Sequence, residues 1–403
     1  MEALELLELV QKGESSLVQF KETINHVNQL SQEFSALANT EGGIVLIGIA
    51  DTGEIKGLSA EQIHKFNQWI SNVASQNMKP PVSPLTEIVT VGEKNVLVVK
   101  IPSGYAKPYY TNEGVAWVKM GADKRIAPPE EILRLFQSAG KIYADEGIVQ
   151  GSTINDIDER SLKTLIVNKF RTKFGISASD DLSQRPVDEL LSIIDPSISL
   201  SQLLQNMKLS EGENLTLAGL LLIGANPQKF KPLFSVKCIT FVGNDISGTQ
   251  FRDKDDLYEG NLQTLYQKAL DFILRHLRNI QVEEGFNSLA QLEIPSQVLE
   301  EILVNALVHR DYYISSSIQV FIFDNRVEII SPGKLPNTLN ENNVRFYTSI
   351  ARNPIIYSNC AFAGLPFTGI GSGIPRAISL YPDITLLNNK ENDKFTVTIK
   401  RPN

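Results

Sequence analysis

Glu301 and Asn305 stand four residues apart in the stretch PSQVLEEILVNALVHRD, residues 295–311. Pro295 is well placed to open a helix there. At about 100° per residue, Glu301, Asn305 and Val308 then fall on one side, and Leu299, Leu303 and Ala306 on the other. A carboxylate and an amide thus share a stripe, an arrangement that for an isolated ExxxN is more often a solvated face. Further along, Gly369, Gly371 and Gly373 alternate ahead of a helix expected over 374–380. Glycines let a backbone approach a ligand closely, and the amides that open a helix favour an anion. These residue types together suit a phosphate. No phosphate loop of the form GxxxxGK[ST] occurs in the chain, so that common phosphate-binding motif is excluded.

A second chemistry is offered by Lys107, Lys119, Lys124 and Arg125, which neighbour Tyr109, Tyr110 and Trp117. Rings can stack on bases while cations contact phosphates; the alternative is solvated charge on a hairpin. The 403 residues carry a formal net charge of -8, so any contact with nucleic acid, DNA or RNA, must be a local patch and not a general coating. Cys238 and Cys360 lie far apart without Cys or His neighbours, and neither a disulfide framework nor a zinc site is expected. The N-terminus has no basic region ahead of an apolar core, as a signal peptide would. The longest apolar stretch, 217–225, is too short for a membrane span of roughly 20 residues. No membrane contact and a cytoplasmic location are the expectations.

The elements that must position these residues read as α+β. Residues 1–140 suggest a helix to about 12, a strand around 16–22, a helix near 30–39 and a strand at 44–49. Apolar runs at 96–101 and 115–119 are expected to complete a small mixed sheet. Gly42 and Gly43 supply the positive φ that ends the second helix. Residues 141–290 read as a linker and a middle segment, with a helix at 159–170, strands at 217–223 and 234–241, and a long amphipathic helix at 260–278. Residues 291–403 make a further α/β layer of helix, hairpin, irregular loop, Gly-rich turn, helix and final strand. His309 and Arg310 are expected to favour the C-terminal dipole of the helix that carries Glu301.

The run Phe20-Lys21-Glu22, Ala38-Asn39-Thr40-Glu41-Gly42-Gly43 and Gly48-Ile49 with Asp51, followed by Lys107-Pro108-Tyr109 and 117–121, resembles the AlbA-like domain of the Schlafen group. Nuclease members of that group carry a carboxylate trio, which suits metal-dependent attack on a phosphodiester. The resemblance carries the trio onto Glu14, Gln19 and Asp51, with the neutral Gln19 as a departure that weakens metal binding.

In the C-terminal part, the Glu301/Asn305 helix, the hairpin through Asp324-Asn325, Ser331-Pro332-Gly333, Arg352-Asn353-Pro354 and the Gly369–Gly373 turn occur in an order that resembles the GHKL ATPases. The order resembles more closely their divergent version in proteins like the RecG helicase C-terminus. The resemblance implies that ATP and magnesium are cofactors. Asn305 would ligate the metal, Glu301 would orient the attacking water, and Gly369, Gly371 and Gly373 would hold the phosphates. Ser331 and Gly333 stand in the first glycine box, where the family usually has an Asp that reads adenine.

The expected architecture is a Schlafen-type AlbA-like domain over 1–140, a helical and strand middle segment, and a GHKL-like α/β sandwich over 291–403. With no winged helix after the GHKL-like part, the resemblance implies a nucleotide-responsive regulatory or defence-related component acting with nucleic acid or a protein partner. A homodimer, a metal-dependent ribonuclease and a scaffold without either chemistry stay open as alternatives.

Overall fold

The computed structural model describes all residues except 175–181, 247–249, 282–289, 337–338, 347–349, 370 and 403. The chain divides into two compact units, Met1–Ile142 and Tyr143–Asn403.

The first unit is built from α1 (Ala3–Lys12), β1 (Val18–Lys21), α2 (Val27–Asn39), β2 (Gly42–Ile47), α3 (Ala60–Asn72), β3 (Leu85–Val91) and β4 (Lys94–Pro102). A four-stranded sheet runs β1-β2-β4-β3, parallel between β1 and β2 and antiparallel elsewhere. The period-two alternation of the strands divides the core. Val45, Ile47, Leu97 and Val99 face Leu30, Phe34 and Leu37 of α2 with Ile63 and Phe66 of α3, while Leu46, Val96, Val98 and Phe20 pack with Leu6 of α1. The run 115–119 does not join this sheet. Its residues form β5 (Trp117–Met120), a hairpin with β6 (Asp123–Ile126), because Gly121 at φ 61° turns the chain straight back.

The sharp step from α2 into β2 needs its two glycines. Gly42 and Gly43 have φ of 80° and 156°, and a Cβ at Gly43 would lie 2.5 Å from the Leu17 carbonyl oxygen. Asn39, buried at the end of α2, donates through Nδ2 to the carbonyls of Tyr109 and Trp117, each at 2.9 Å, and accepts from the Tyr109 amide at 2.7 Å. One amide thereby ties two distant segments to α2.

In the second unit, a six-stranded sheet runs β8-β7-β9-β10-β12-β11, with β7 at Val236–Phe241, β8 at Phe251–Tyr258, β9 at Ile318–Ile322, β10 at Arg326–Pro332, β11 at Ile384–Asn389 and β12 at Lys394–Lys400. Alternate residues Val236, Cys238, Ile318, Val320, Val327, Ile329, Val397 and Ile399 face a core shared with the helices Leu217–Ile223, Leu262–His276 and Ser296–His309. Residues before and after 290 therefore contribute to one sheet and one core. Both cysteines are buried and free.

The segment 217–223, expected as a strand, is a helix. All its residues are buried, so its hydrophobicity carries no period to tell helix from strand. Thr216 Oγ1 accepts from the Gly219 amide at 3.2 Å and caps the helix start.

Asp145 binds the start of the helix Pro354–Asn359, accepting from the Ile355 and Ile356 amides at 2.7 and 2.9 Å. Burial raises its pKa to about 6, against the lowering effect of those two hydrogen bonds. A carboxyl held above its ordinary value favours folding below that value, and the contribution is lost as pH rises through about 6. Asp145→Asn keeps an acceptor and removes the titration. Relative to this variant, the wild type is expected to lose stability by on the order of 1 kcal/mol per pH unit between about pH 4 and 6, read by denaturant unfolding at each pH. Parallel curves would refute the assignment.

Candidate functional site

The helix Ser296–His309 turns Glu301, Ile302, Asn305, Ala306 and His309 toward a cavity. Its other walls are Ile329 and Ser331 of β10, Lys334, Leu335, Pro336 and Leu339 of the following loop, Gly369, Gly371 and Gly373, and Phe395 and Val397 of β12. The centre of the cavity-facing stripe differs from the one expected. Ala306 lines the cavity, whereas Val308 is wholly buried in the core.

Glu301, Asn305, Ser331, Gly369, Gly371 and Gly373 thus come together from three separated stretches of chain. Ile370 lies outside the described residues. Gly373 opens the helix Gly373–Leu380 and lies against the two candidate side chains: a Cβ there would lie 2.5 Å from Asn305 Nδ2 and 2.7 Å from Glu301 Oε2. Asn305 Nδ2 donates to the Glu301 carbonyl at 2.6 Å. That bond holds the amide and leaves Oδ1 as its acceptor or cation ligand. Burial raises the Glu301 pKa, while Arg376, with Nη2 at 3.2 Å from Glu301 Oε1, opposes the rise.

Ser331 is buried at the cavity wall, and its hydroxyl donates to the Ala306 carbonyl at 3.2 Å. Its lone pairs therefore remain as the acceptor there. Gly333, φ 101°, serves packing: a Cβ would lie 2.5 Å from Asp311 Cβ and 2.6 Å from Arg352 Nη1. Arg352 and Asn353 complete the end of the Glu301 helix. Asn353 Nδ2 donates to the carbonyls of Val308 and Arg310, each at 2.9 Å, and so satisfies groups that a helix end leaves unpaired.

The helix-end cations do not act as expected. Burial, with Arg352 adding to it, lowers the His309 pKa to about 4, which makes it a neutral ring against Tyr357 and Phe367. Arg310 is buried between the rings of Phe234 and Tyr312, at 4.7 and 4.8 Å from their centres, and donates to the Ser316 carbonyl at 2.6 Å. Its charge is spent on the chain that follows the helix. His309, expected only as a helix-end cation, lines the cavity, and Lys334, Thr368 and Arg376 were missed in the sequence. Only Arg376 left a usable signal there, one helical turn after Gly373.

In the first unit, Glu14 and Gln19 are in contact: Gln19 Nε2 and the Phe20 amide both donate to Glu14 Oε1. Lys119, its side chain 1% exposed, donates to Gln19 Oε1 at 2.7 Å and lies 4.0 Å from buried Glu33 of α2. Burial lowers the Lys119 pKa, and Glu33 opposes this. Asp51 is exposed on the turn after β2. Among the described residues no group of three His, Cys, Asp or Glu side chains is arranged to hold a metal ion. Glu33 had no signal in the sequence, since it lies in a helix far from Glu14.

The cations expected as a patch are each engaged within the unit. Lys107 donates to the Thr40 carbonyl at 2.7 Å, Lys124 to Glu33, and Arg125 to Glu131. Tyr109 is a core residue, its ring so close to Gly104 that a Cβ there would lie 2.0 Å from Cε2. It offers no stacking platform. Among the described residues no helix is long and apolar enough to cross a membrane.

Residues 14–128 match the family described as Schlafen, AlbA_2, and residues 315–399 match the family of the ATP-dependent DNA helicase recG C-terminal. The chain therefore carries a Schlafen AlbA_2 domain followed by an ATPase-like domain similar to the RecG C-terminus. The second match contains Ser331, Gly333 and the Gly369–Gly373 turn and begins after the Glu301/Asn305 helix. No curated protein matches the chain. Among solved structures, the DIP2311 protein from Corynebacterium diphtheriae is similar with a TM-score of 0.47 and 20% identity, over 96% of this chain and 75% of that one.

Proposed function

We propose that this chain is a nucleic-acid-associated regulatory or defence-related protein, in which ATP with magnesium in the C-terminal cavity modulates the hold of the N-terminal domain on nucleic acid. The observation that carries the reading is the meeting of Gly373 with the ends of Glu301 and Asn305 at the start of a helix. A phosphate there would meet backbone amides and the positive end of a helix dipole. The donor set also fits a magnesium ion: Asn305 presents Oδ1, and hard oxygen ligands suit that cation, which usually keeps several waters and binds phosphate oxygens as well. When bound, the ion would neutralise phosphate charge. Glu301, desolvated and facing the same corner, can orient a water and accept its proton. The apolar wall of Ile329, Leu335, Phe395 and Val397 suits a base, with the Ser331 hydroxyl as an acceptor for an exocyclic amine.

An uncharged Ser331 in place of a carboxylate makes base recognition weak. Calorimetric titration is expected to give high-micromolar ATP binding, about -5 to -6 kcal/mol, with magnesium required and with little preference over GTP. No heat with ATP and magnesium at millimolar concentration would overturn the reading.

For the N-terminal domain the supported role is binding without strand scission. The Lys119 ammonium already bonds Gln19, beside Glu14, in the region where the resemblance places a metal-binding trio.

A further inference from the structure

Arg376 lies in the first turn of the helix Gly373–Leu380. Its side chain folds back over the glycine turn, with Nη2 at 3.2 Å from Glu301 Oε1, 3.0 Å from Ser372 Oγ and 3.4 Å from Thr368 Oγ1. Thr368 and Glu301 line both the cavity and an adjoining, more open hollow, and Arg376 lines the hollow. The guanidinium therefore stands at the border between the two. Among the described residues its Nε and Nη1 carry no partner, and the side chain is 43% exposed. It has donors in reserve and room to pivot.

The charge balance of this corner calls for such a group. Glu301 and Glu300 already put two carboxylates beside it, and burial disfavours the ionised form of Glu301. A polyphosphate held at the Gly369–Gly373 turn would bring further negative charge against the same carboxylate, at a distance where like charges repel strongly in a partly desolvated site. His309 is neutral, and Lys334 lies near Asp393, at 3.8 Å, on the loop after β10. Among the described residues that line the cavity and the hollow, Arg376 is thus the permanent cation beside Glu301. A planar guanidinium with several donors can bond a carboxylate and a phosphate at once.

We propose that Arg376 senses the terminal phosphate of a bound nucleoside triphosphate, bridging it to Glu301, and so sets a preference for triphosphate over diphosphate. This rests on the nucleotide reading of the cavity. With a diphosphate, the guanidinium keeps only its contacts to Glu301, Ser372 and Thr368. With a triphosphate, its spare donors gain a charged acceptor.

The test is calorimetric titration of the full chain with magnesium and either ADP or a non-hydrolysable ATP analogue, for wild type, Arg376→Gln and Arg376→Lys. Wild type is expected to bind the triphosphate roughly tenfold more tightly than ADP, as one partly exposed charge-assisted contact supplies. In Arg376→Gln the ratio should fall to about one, chiefly through loss of triphosphate affinity, and Arg376→Lys should restore part of it. Melting curves check that each variant is folded. A merely structural role would weaken both nucleotides alike, and that result, or an unchanged ratio in Arg376→Gln, overturns the proposal. A wild type that binds both nucleotides equally overturns it while the nucleotide reading stands. A wild type that binds neither overturns that reading and this inference with it.

Discussion

Asn305→Ala is expected to abolish the magnesium dependence of nucleotide binding, so that affinity with the metal falls to the value without it, whereas Glu301→Gln leaves affinity within a few-fold. The two side chains share one corner, bonded through Asn305 Nδ2 and the Glu301 carbonyl, yet their chemistry differs. An amide oxygen that ligates a cation contributes in the ground state, since its loss leaves phosphate charge less neutralised. A carboxylate that orients water contributes chiefly in the transition state. Any turnover should therefore fall on the order of 10²–10⁴-fold in Glu301→Gln with binding kept. Gly373→Ala provides a third arm. Its Cβ would push on the free ends of both side chains, at 2.5 and 2.7 Å, which can move without unfolding the protein, so binding should weaken in a folded variant. Titrations with and without magnesium, paired with a phosphate-release assay, separate these effects. Equal loss of binding in the Asn305 and Glu301 variants would contradict the division of roles.

Arg401→Ala is expected to destabilise the second unit by about 1.5–3 kcal/mol, the usual worth of hydrogen bonds to a buried charged group that keeps one other partner. Arg401 donates to Glu293 Oε1 through Nε at 3.0 Å and Nη2 at 2.6 Å, and to the Phe323 carbonyl through Nη1 at 2.7 Å. Glu293 has a side chain with 0% exposure and also accepts from the Arg278 amide and guanidinium at 2.7 and 2.8 Å. Burial is the largest influence on its pKa and pushes it up, but the hydrogen bonds from Arg401 and Arg278 outweigh it and hold the carboxyl below its ordinary range. A lowered carboxyl pKa gives stability that is present above the ordinary value and lost as pH falls through the native one. The gap between wild type and Arg401→Ala should thus be full at neutral pH and narrow in acid. Denaturant unfolding measures it. A loss below about 1 kcal/mol at neutral pH would show the pair to be dispensable. Replacing both partners by apolar residues should recover much of the loss, since the buried carboxylate is then removed as well. The pair joins the end of β12 to the residue just ahead of Ile294 and the Glu301 helix, so it also fixes where the candidate site's helix begins.

Local chemistry was readable from residue order. The glycines at 42 and 43 mark the turn between a helix and a buried strand, because positive φ and a carbonyl 2.5 Å from any Cβ exclude other residues. The spacing of Glu301 and Asn305 puts them on one helix face, and the alternating glycines open the next helix, since helical and turn geometry depend on neighbours in the chain. The two family resemblances rest on such local runs; both families match within the segments where they were expected, the second only from residue 315, after the Glu301/Asn305 helix.

What neighbours in the chain do not encode was decided by packing. The apolar run 217–223 has no polar face, and only its burial on every side, with Thr216 as a cap, makes it a helix. Lys119 looks like a surface cation in sequence, but the hairpin carries it to Gln19 and Glu33, 100 and 86 positions away, where burial makes it part of the interior. Arg310 and His309 follow the same rule in opposite ways, one charged between two rings and the other kept neutral. The cavity exists only because the sheet brings Ser331 and Phe395 opposite the Glu301 helix. Periodicity and spacing thus determine which side chains share a face of one element. Which faces meet, and therefore which charges are desolvated and which find partners, depends on contacts between residues far apart in the chain.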